Sequence, residues 1–339
     1  MKAPDGNPFY RNPEHPHFNR RALRHDYNRP ARYLITILKN PEIPPFSCIH
    51  ADSLTDTTIS INLSVTGRNI PQSISLWEKK YPSCRIAEYI IMPDHLHLGI
   101  EVHSYLPNGL SRAIANLKGM ISVGYHESLA SENKLEKLIP LFVKGYNDRI
   151  AYDAEQWQSQ LHYIKDNPRR YLLKRTFPDY LQRRWLLTID SNRSILLGNI
   201  FLLRQPFLLP VKFSRKYSPE EATATIRQWQ TNLRNGGIPI SPFIHPREKE
   251  LRNYAAENGY SYIRVCTNGF SERQSPSGKE FEMMAQGRLL LIGREKFNSR
   301  KVDLIYSYAQ SLNQLAARIA SDCNHTKSAT IRPLPHSSS

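Results

Sequence analysis

Acidic residues are in short supply. The chain holds 30 Asp and Glu against 46 Lys and Arg, a formal net charge of +16. That balance points to a polyanionic partner, nucleic acid before an acidic membrane surface. Cysteine is scarce as well. Cys48, Cys84, Cys266 and Cys323 stand apart with no CxxC spacing. This argues against a zinc ribbon or a disulfide framework, and reduced thiols in a cytoplasmic protein are expected. Long hydrophobic runs are missing. The most apolar stretch, Ser194 to Val211, is broken by Asn199, Arg204, Gln205, Pro206 and Pro210. It cannot form an uninterrupted membrane span, so no membrane partner is expected. The opening residues lack the apolar centre of a secretory leader. No GxxxxGK[ST] loop and no GxGxxG run is present. Those two absences count against P-loop nucleotide hydrolysis and against the standard dinucleotide fingerprint. No internal repeat is visible.

Enough remains to build real cores. Hydrophobic residues make up 40% of the 339-residue chain, material for about two domains. Residues 1–30, rich in Pro, Asn, His and Arg, read as a basic arm without regular structure. Tyr33 to Leu38 and Ile59 to Val65 read as strands, and Ile70 to Lys80 as a helix around Ile74 and Trp77. Cys84 to Met92 and His95 to Val102 read as two strands about a Met-Pro-Asp turn. Leu110 to Leu129 and Ala154 to Asn167 read as helices, the second closed by Pro168. This order predicts an α+β domain over 31–190, an antiparallel sheet with helices on one face. Near residue 190 the texture changes to alternating strands and helices. Residues 191–325 therefore read as a parallel α/β domain, and 326–339 as a flexible tail.

The chemistry concentrates in two segments. In Met92-Pro93-Asp94-His95-Leu96-His97-Leu98 the strand period puts His95 and His97 on one face and the leucines on the other. Two imidazoles on one strand face suit a divalent metal but supply only two ligands. The same pattern also fits two histidines on a half-exposed strand. In Leu161-His162-Tyr163-Ile164-Lys165-Asp166-Asn167-Pro168-Arg169-Arg170-Tyr171, Trp157, Leu161 and Ile164 have helical core spacing. Tyr163 and Asn167 fall on an adjacent face, four apart. A tyrosine beside a metal-polarised phosphate can act as a nucleophile. It can equally be a half-buried helix residue.

Taken together the two segments resemble the HUH-endonuclease single-tyrosine transposases, especially their REP-associated branch. Ile91 to His97 is similar to the family's hydrophobic-Met-Pro-Asn/Asp-His-x-His strand, and Tyr163 to Pro168 to its Tyr-Ile-x-x-Asn-Pro helix. Phe142 to Ile150 and Tyr33 to Leu38 are similar to flanking stretches, so the resemblance covers roughly residues 30–180. It implies a ferredoxin-like HUH fold for the first domain. It implies that His95, His97 and Asn167 hold Mg²⁺ or Mn²⁺ and that Tyr163 is the catalytic nucleophile. Implied too are nicking and rejoining of single-stranded or hairpin DNA through a 5′-phosphotyrosine link. Gly99 departs from the family pattern, standing where a second hydrophobic residue is common.

Two basic runs supply candidate DNA contacts. Arg169, Arg170, Lys174, Arg175, Arg183 and Arg184 follow the tyrosine, with Tyr171, Phe177, Tyr180 and Trp185 among them as stacking surfaces. Arg20, Arg21 and Arg24, with Arg29 and Arg32, form the second run. Each run also fits an ordinary solvated face. The α/β domain is loosely similar to Rossmann-like nucleotide-sensing domains related to the DNA-processing and lysine-decarboxylase-like group. The turn leading to Pro246 and the loop Arg273 to Lys279 are its candidate phosphate sites. A nucleotide there and a homodimer are the further partners left open. Three other readings stand beside the transposase: a catalytically silent hairpin-binding regulator, a nucleotide sensor acting through the second domain, and a basic structural or ribosome-associated protein.

Overall fold

A computed structural model describes residues 22, 25–51, 59–131, 139–189, 192–270, 276–298, 304–325 and 329–334. Two compact units emerge, Met1–Leu172 and Leu173–Ser339.

The first unit contains strands β1 (Ala31–Leu38), β2 (Ser47–Ala51) and β3 (Ile59–Leu63), then helix α1 (Ile70–Lys80). Strands β4 (Cys84–Ile91) and β5 (His95–Val102), helix α2 (Gly109–Ser131), β6 (Asn147–Ala151) and helix α3 (Ala154–Thr176) follow, the last four residues of α3 falling to the second unit. Four strands form an antiparallel sheet in the order β4-β5-β1-β6, and β2 and β3 pair as a separate hairpin. With that hairpin set aside, the chain runs β-α-β-β-α-β with the split order of a ferredoxin-like sheet. Alternation explains the core. Tyr33, Ile35 and Ile37 of β1 and Leu96, Leu98, Ile100 and Val102 of β5 bury on one face. Against them pack Ile70, Ile74 and Trp77 of α1 and Leu110, Ala113, Ile114 and Leu117 of α2. The Trp77 indole donates to the Ala113 carbonyl at 2.8 Å, tying the two helices.

Helices were expected on one face only. Instead α3 covers the opposite face of the sheet, and the reason is Gly99. A Cβ there would lie 2.8 Å from Leu161 Cδ2, 3.1 Å from the Trp157 ring and 3.2 Å from Ile164 Cδ1. Only a residue without a side chain lets α3 sit this close to β5. Trp157 and Ile164 are buried as a result. Nor does α3 stop before Pro168, as expected; it runs on to Thr176. Asp166 spans the break in backbone hydrogen bonding by pairing with Arg169 at 2.8 Å and Arg170 at 3.7 Å.

The second unit begins earlier than the expected boundary at 190. After a short helix α4 (Pro178–Leu181), β7 (Arg184–Ile189) pairs with β8 (Asn192–Gly198), so it belongs to the second sheet. Then come β9 (Leu208–Pro210), α5 (Pro219–Arg234), β10 (Ile238–Ser241), α6 (Pro246–Glu257) and β11 (Tyr262–Val265). The chain ends in α7 (Gly278–Ala285), β12 (Leu289–Arg294), α8 (Tyr306–His325) and β13 (Ala329–Pro333). The seven-stranded order is β13-β7-β8-β12-β11-β10-β9. Strands β9 to β12 are parallel and lie in chain order, without the reversal of a doubly wound sheet; β8, β7 and β13 extend it antiparallel. Helix α8 closes one face with Leu312, Ala316, Ile319 and Ala320. Ser218 and Glu221 form a capping box at the start of α5.

The expected flexible tail is in part a strand. Thr330 and Ile331 have β-branched side chains suited to an edge, and β13 pairs with β7 from Ala329 to Pro333. Both outer strands, β9 and β13, carry a proline. Val211 N–H and Leu334 N–H point inward, to Ile240 O and Arg184 O. By strand alternation Pro210 and Pro333 face outward, where no ladder bond is lost. Among the described residues no helix is long and apolar enough to cross a membrane.

Candidate active site

The face of β5 turned from the core presents His95, His97 and Gly99 toward α3. His95 and His97 meet edge to face with ring centroids 4.5 Å apart. The Tyr163 ring, carried on α3, meets His97 edge-on at 5.5 Å. The close seat of α3 over Gly99 thus brings the tyrosine to the histidine pair. The Arg170 guanidinium lies 5.8 Å from the centre of the Tyr163 ring. One helical turn beyond Tyr163, Asn167 is buried, and its side-chain nitrogen donates to Tyr163 O at 3.4 Å.

Each imidazole is held by its Nδ1. Asp94 Oδ1 lies 2.7 Å from His95 Nδ1, and Thr36 Oγ1 lies 2.9 Å from His97 Nδ1. With protons on both Nδ1 atoms, Nε2 is the ligating nitrogen in each ring. Thr36 reaches His97 because the ladder pairs them directly across β1 and β5. The hydrogen bond to His95 holds the Asp94 carboxyl below its usual value, against a smaller opposing effect of burial. His97 is pushed down to about 3, first by burial and then by its neighbour His95. It therefore stays neutral, the state a metal ligand needs.

These residues fit a divalent ion. Two imidazole nitrogens come from one strand face, and the engaged Asn167 nitrogen leaves the amide oxygen as its donor. Three such ligands leave positions for water and a phosphate oxygen. Among the described residues no group of three His, Cys, Asp or Glu side chains gathers as a metal site.

The expected DNA contacts divide. Arg169 and Arg170 share Asp166, and Arg183 pairs with Asp179 at 2.7 Å and lies over the Trp185 ring. Arg184 donates to the Phe270 carbonyl at 3.3 Å. Arg175 is exposed and Lys174 half-buried. The first two belong to the first unit and the rest to the second. Phe177 and Tyr180 stack on each other rather than stand open. In the second basic run Arg29 pairs with Asp26 and Arg32 with Glu101. Arg20, Arg21 and Arg24 lie outside the described residues. The described end of the N-terminal arm is not loose, since Tyr27 donates to Asp148 Oδ2 at 2.7 Å and stacks on Tyr33.

The expected phosphate site before α6 is closed from within. The buried Glu248 carboxylate accepts from the backbone N–H groups of Phe213, Ile244 and His245 at 2.8, 2.8 and 3.2 Å. The protein's own anion fills the position a phosphate would take. The loop Arg273 to Lys279 falls partly outside the described residues. Its described end opens α7 at Ser277 without a side-chain cap.

No family model matches the chain, and no curated protein does. Several solved chains are similar to this one. Among them is a structure described as a REP-associated tyrosine transposase bound to a REP hairpin, with 12% identity and a TM-score of 0.30. The match covers 44% of this chain and 72% of that one. At that distance the roles of individual residues rest on the geometry of this chain itself.

Proposed function

We propose that the chain nicks and rejoins single-stranded or hairpin DNA, with Tyr163 as nucleophile. The observation that carries this is the meeting of Tyr163 with His97, and of His97 with His95, on a sheet face that Gly99 opens to α3. The same three side chains carry the resemblance to the HUH transposases. His95, His97 and Asn167 would hold a divalent ion, Mg²⁺ or Mn²⁺, whose charge would polarise the scissile phosphate and offset its developing negative charge.

The chain's own groups do the rest. The Tyr163 oxygen attacks phosphorus and the bond to the 3′ oxygen breaks, leaving a 5′-phosphotyrosine link and a 3′-hydroxyl. The phenol proton passes to solvent, which the 39% exposure of Tyr163 permits. Arg170 sets positive charge beside the ring, where the incoming phosphate brings negative charge. Asp94 and Thr36 hold the two imidazoles in register. Attack of a 3′-hydroxyl on the link reverses the step and joins strands, with no nucleotide consumed.

A covalent-adduct assay tests this. The full chain is incubated with Mn²⁺ or Mg²⁺ and labelled single-stranded hairpin DNAs, then run on denaturing gels. A metal-dependent adduct lost in Tyr163→Phe and in His95→Ala is the expected result. Hairpin binding without an adduct across a broad pool would instead favour a silent DNA-binding regulator. An adduct surviving Tyr163→Phe would move the nucleophile elsewhere.

A further inference from the structure

Within the first unit, α1 and α2 pack on the buried face of the sheet, and an open groove of about 820 Å³ runs between their outward sides. The two helices are antiparallel. Asn69, just before α1, donates to Gly124 O at 2.6 Å, and Trp77, near the end of α1, donates to Ala113 O at 2.8 Å. The groove exposes two large apolar side chains, Leu76 of α1 at 47% and Val123 of α2 at 56%. The antiparallel run sets Leu76 toward the start of α2, while Val123 lies toward its end. Gly119 lines the groove between these levels, and a Cβ there would meet nothing within 4 Å.

The charges of the groove are placed with the same symmetry. Among the described residues its charged side chains are Arg112 and Glu127, one toward each end of α2. Both are exposed, and neither side chain pairs with an opposite charge among the described residues. Gly119 stands seven residues after Arg112, and Met120 stands seven before Glu127. Seven residues make about two helical turns, so these positions share one face of α2. A twofold axis crossing the groove at Gly119 and Met120 lays α2 antiparallel on its own copy. It sets Arg112 of each chain opposite Glu127 of the other. It also sets Leu76 of each chain over Val123 of the other. Self-complementarity of this kind is what a closed twofold contact requires.

We propose that the α1–α2 face joins two copies of this chain, with the second copy's α2 seated in the groove. The bare backbone at Gly119 lets the two helices approach closely where they cross. Nucleic acid fits this face poorly. The lining carries one charge of each sign, although the whole chain carries +16, so a phosphate backbone finds no excess of cations there. The contact lies on the sheet face opposite α3. It therefore leaves each Tyr163 beside His97 of its own chain.

Sedimentation of the full chain over a range of concentrations, at low salt, tests it. A concentration-dependent dimer is expected. Arg112→Glu and Glu127→Arg should each raise its dissociation constant about tenfold or more, because each turns two symmetric attractions into repulsions. The chain carrying both substitutions has its charges exchanged rather than lost, so it should recover the parent value. Both residues are exposed, and unchanged circular dichroism separates lost association from lost folding. Tyr163→Phe should dimerise as the parent does, which keeps this test independent of the nicking assay. Four results would overturn the proposal. They are a monomer at every concentration, a dimer that neither reversal weakens, a double variant no tighter than the single ones, or reversals that change hairpin binding while the mass stays as it was.

Discussion

Thr36 and His97 face each other across the β1–β5 ladder, hydroxyl to Nδ1 at 2.9 Å. The contact fixes both the tilt of the ring and the nitrogen it offers. Thr36→Val keeps the shape and removes the oxygen. Mn²⁺ affinity should fall about 10–100-fold, as for other lost partners of ligating histidines. Adduct yield against Mn²⁺ concentration reads it: a curve shifted to higher metal with an unchanged plateau is expected, and an unshifted curve would remove Thr36 from the site.

Gly99 is the seat of the nucleophile's helix. Gly99→Val should cost about 1–3 kcal/mol by overpacking against Leu161 and Trp157. It should also cut adduct formation more than the stability loss explains, because α3 must lift from β5. Urea midpoints and adduct rates at a temperature where the variant is still folded separate the two effects. Full activity at reduced stability would mean that the tyrosine tolerates displacement.

Acid should expose the burial of His97. In the unfolded chain it takes a proton near its ordinary value of 6.5, and in the folded chain only near about 3. Between those values the unfolded state binds more protons, so stability falls as pH falls. The full contribution is present above 6.5. Its slope is at most about 1.4 kcal/mol per pH unit. Denaturant midpoints at several pH values should drop more steeply for the parent than for His97→Gln. Parallel curves would show that His97 is not shielded from solvent.

Glu248 holds the backbone amides of Phe213, Ile244 and His245. Glu248→Ala should destabilise the second unit by at least about 2 kcal/mol, since each orphaned buried donor costs about 1–3 kcal/mol. The thermal midpoint, followed through tryptophan fluorescence at Trp229, reports it. A variant as stable as the parent would mean that water replaces the carboxylate at that turn.

Where the determinants are local, the sequence is enough to read. Helix α1 and strand β5 begin and end where their spacing predicts. The determinants that failed to show are non-local. Strand β2 is short, and β13 takes its order from β7, far back in the chain. Thr36 becomes a partner of His97 only through strand register, which periodicity does not carry. Gly99 looked like a departure from a hydrophobic pattern, and its meaning appears only once α3 is laid over it. The basic run after Tyr163 looked like an open cationic track because Asp166 lies inside the motif rather than after it. Pro168 reads as a stop signal, yet the ion pairs around it and the buried face of α3 outweigh the single lost backbone bond.

The outward-facing prolines at the two margins of the second sheet have a consequence for how this protein behaves in a crowded solution. An open sheet normally offers a template on which another strand can polymerise. Here each margin has a gap where a donor should be, so an incoming strand meets an incomplete ladder on either side. Strand addition at either margin of this sheet is thereby disfavoured. Replacing both prolines with threonine should leave the native fold in place and convert a soluble preparation into one that slowly gels.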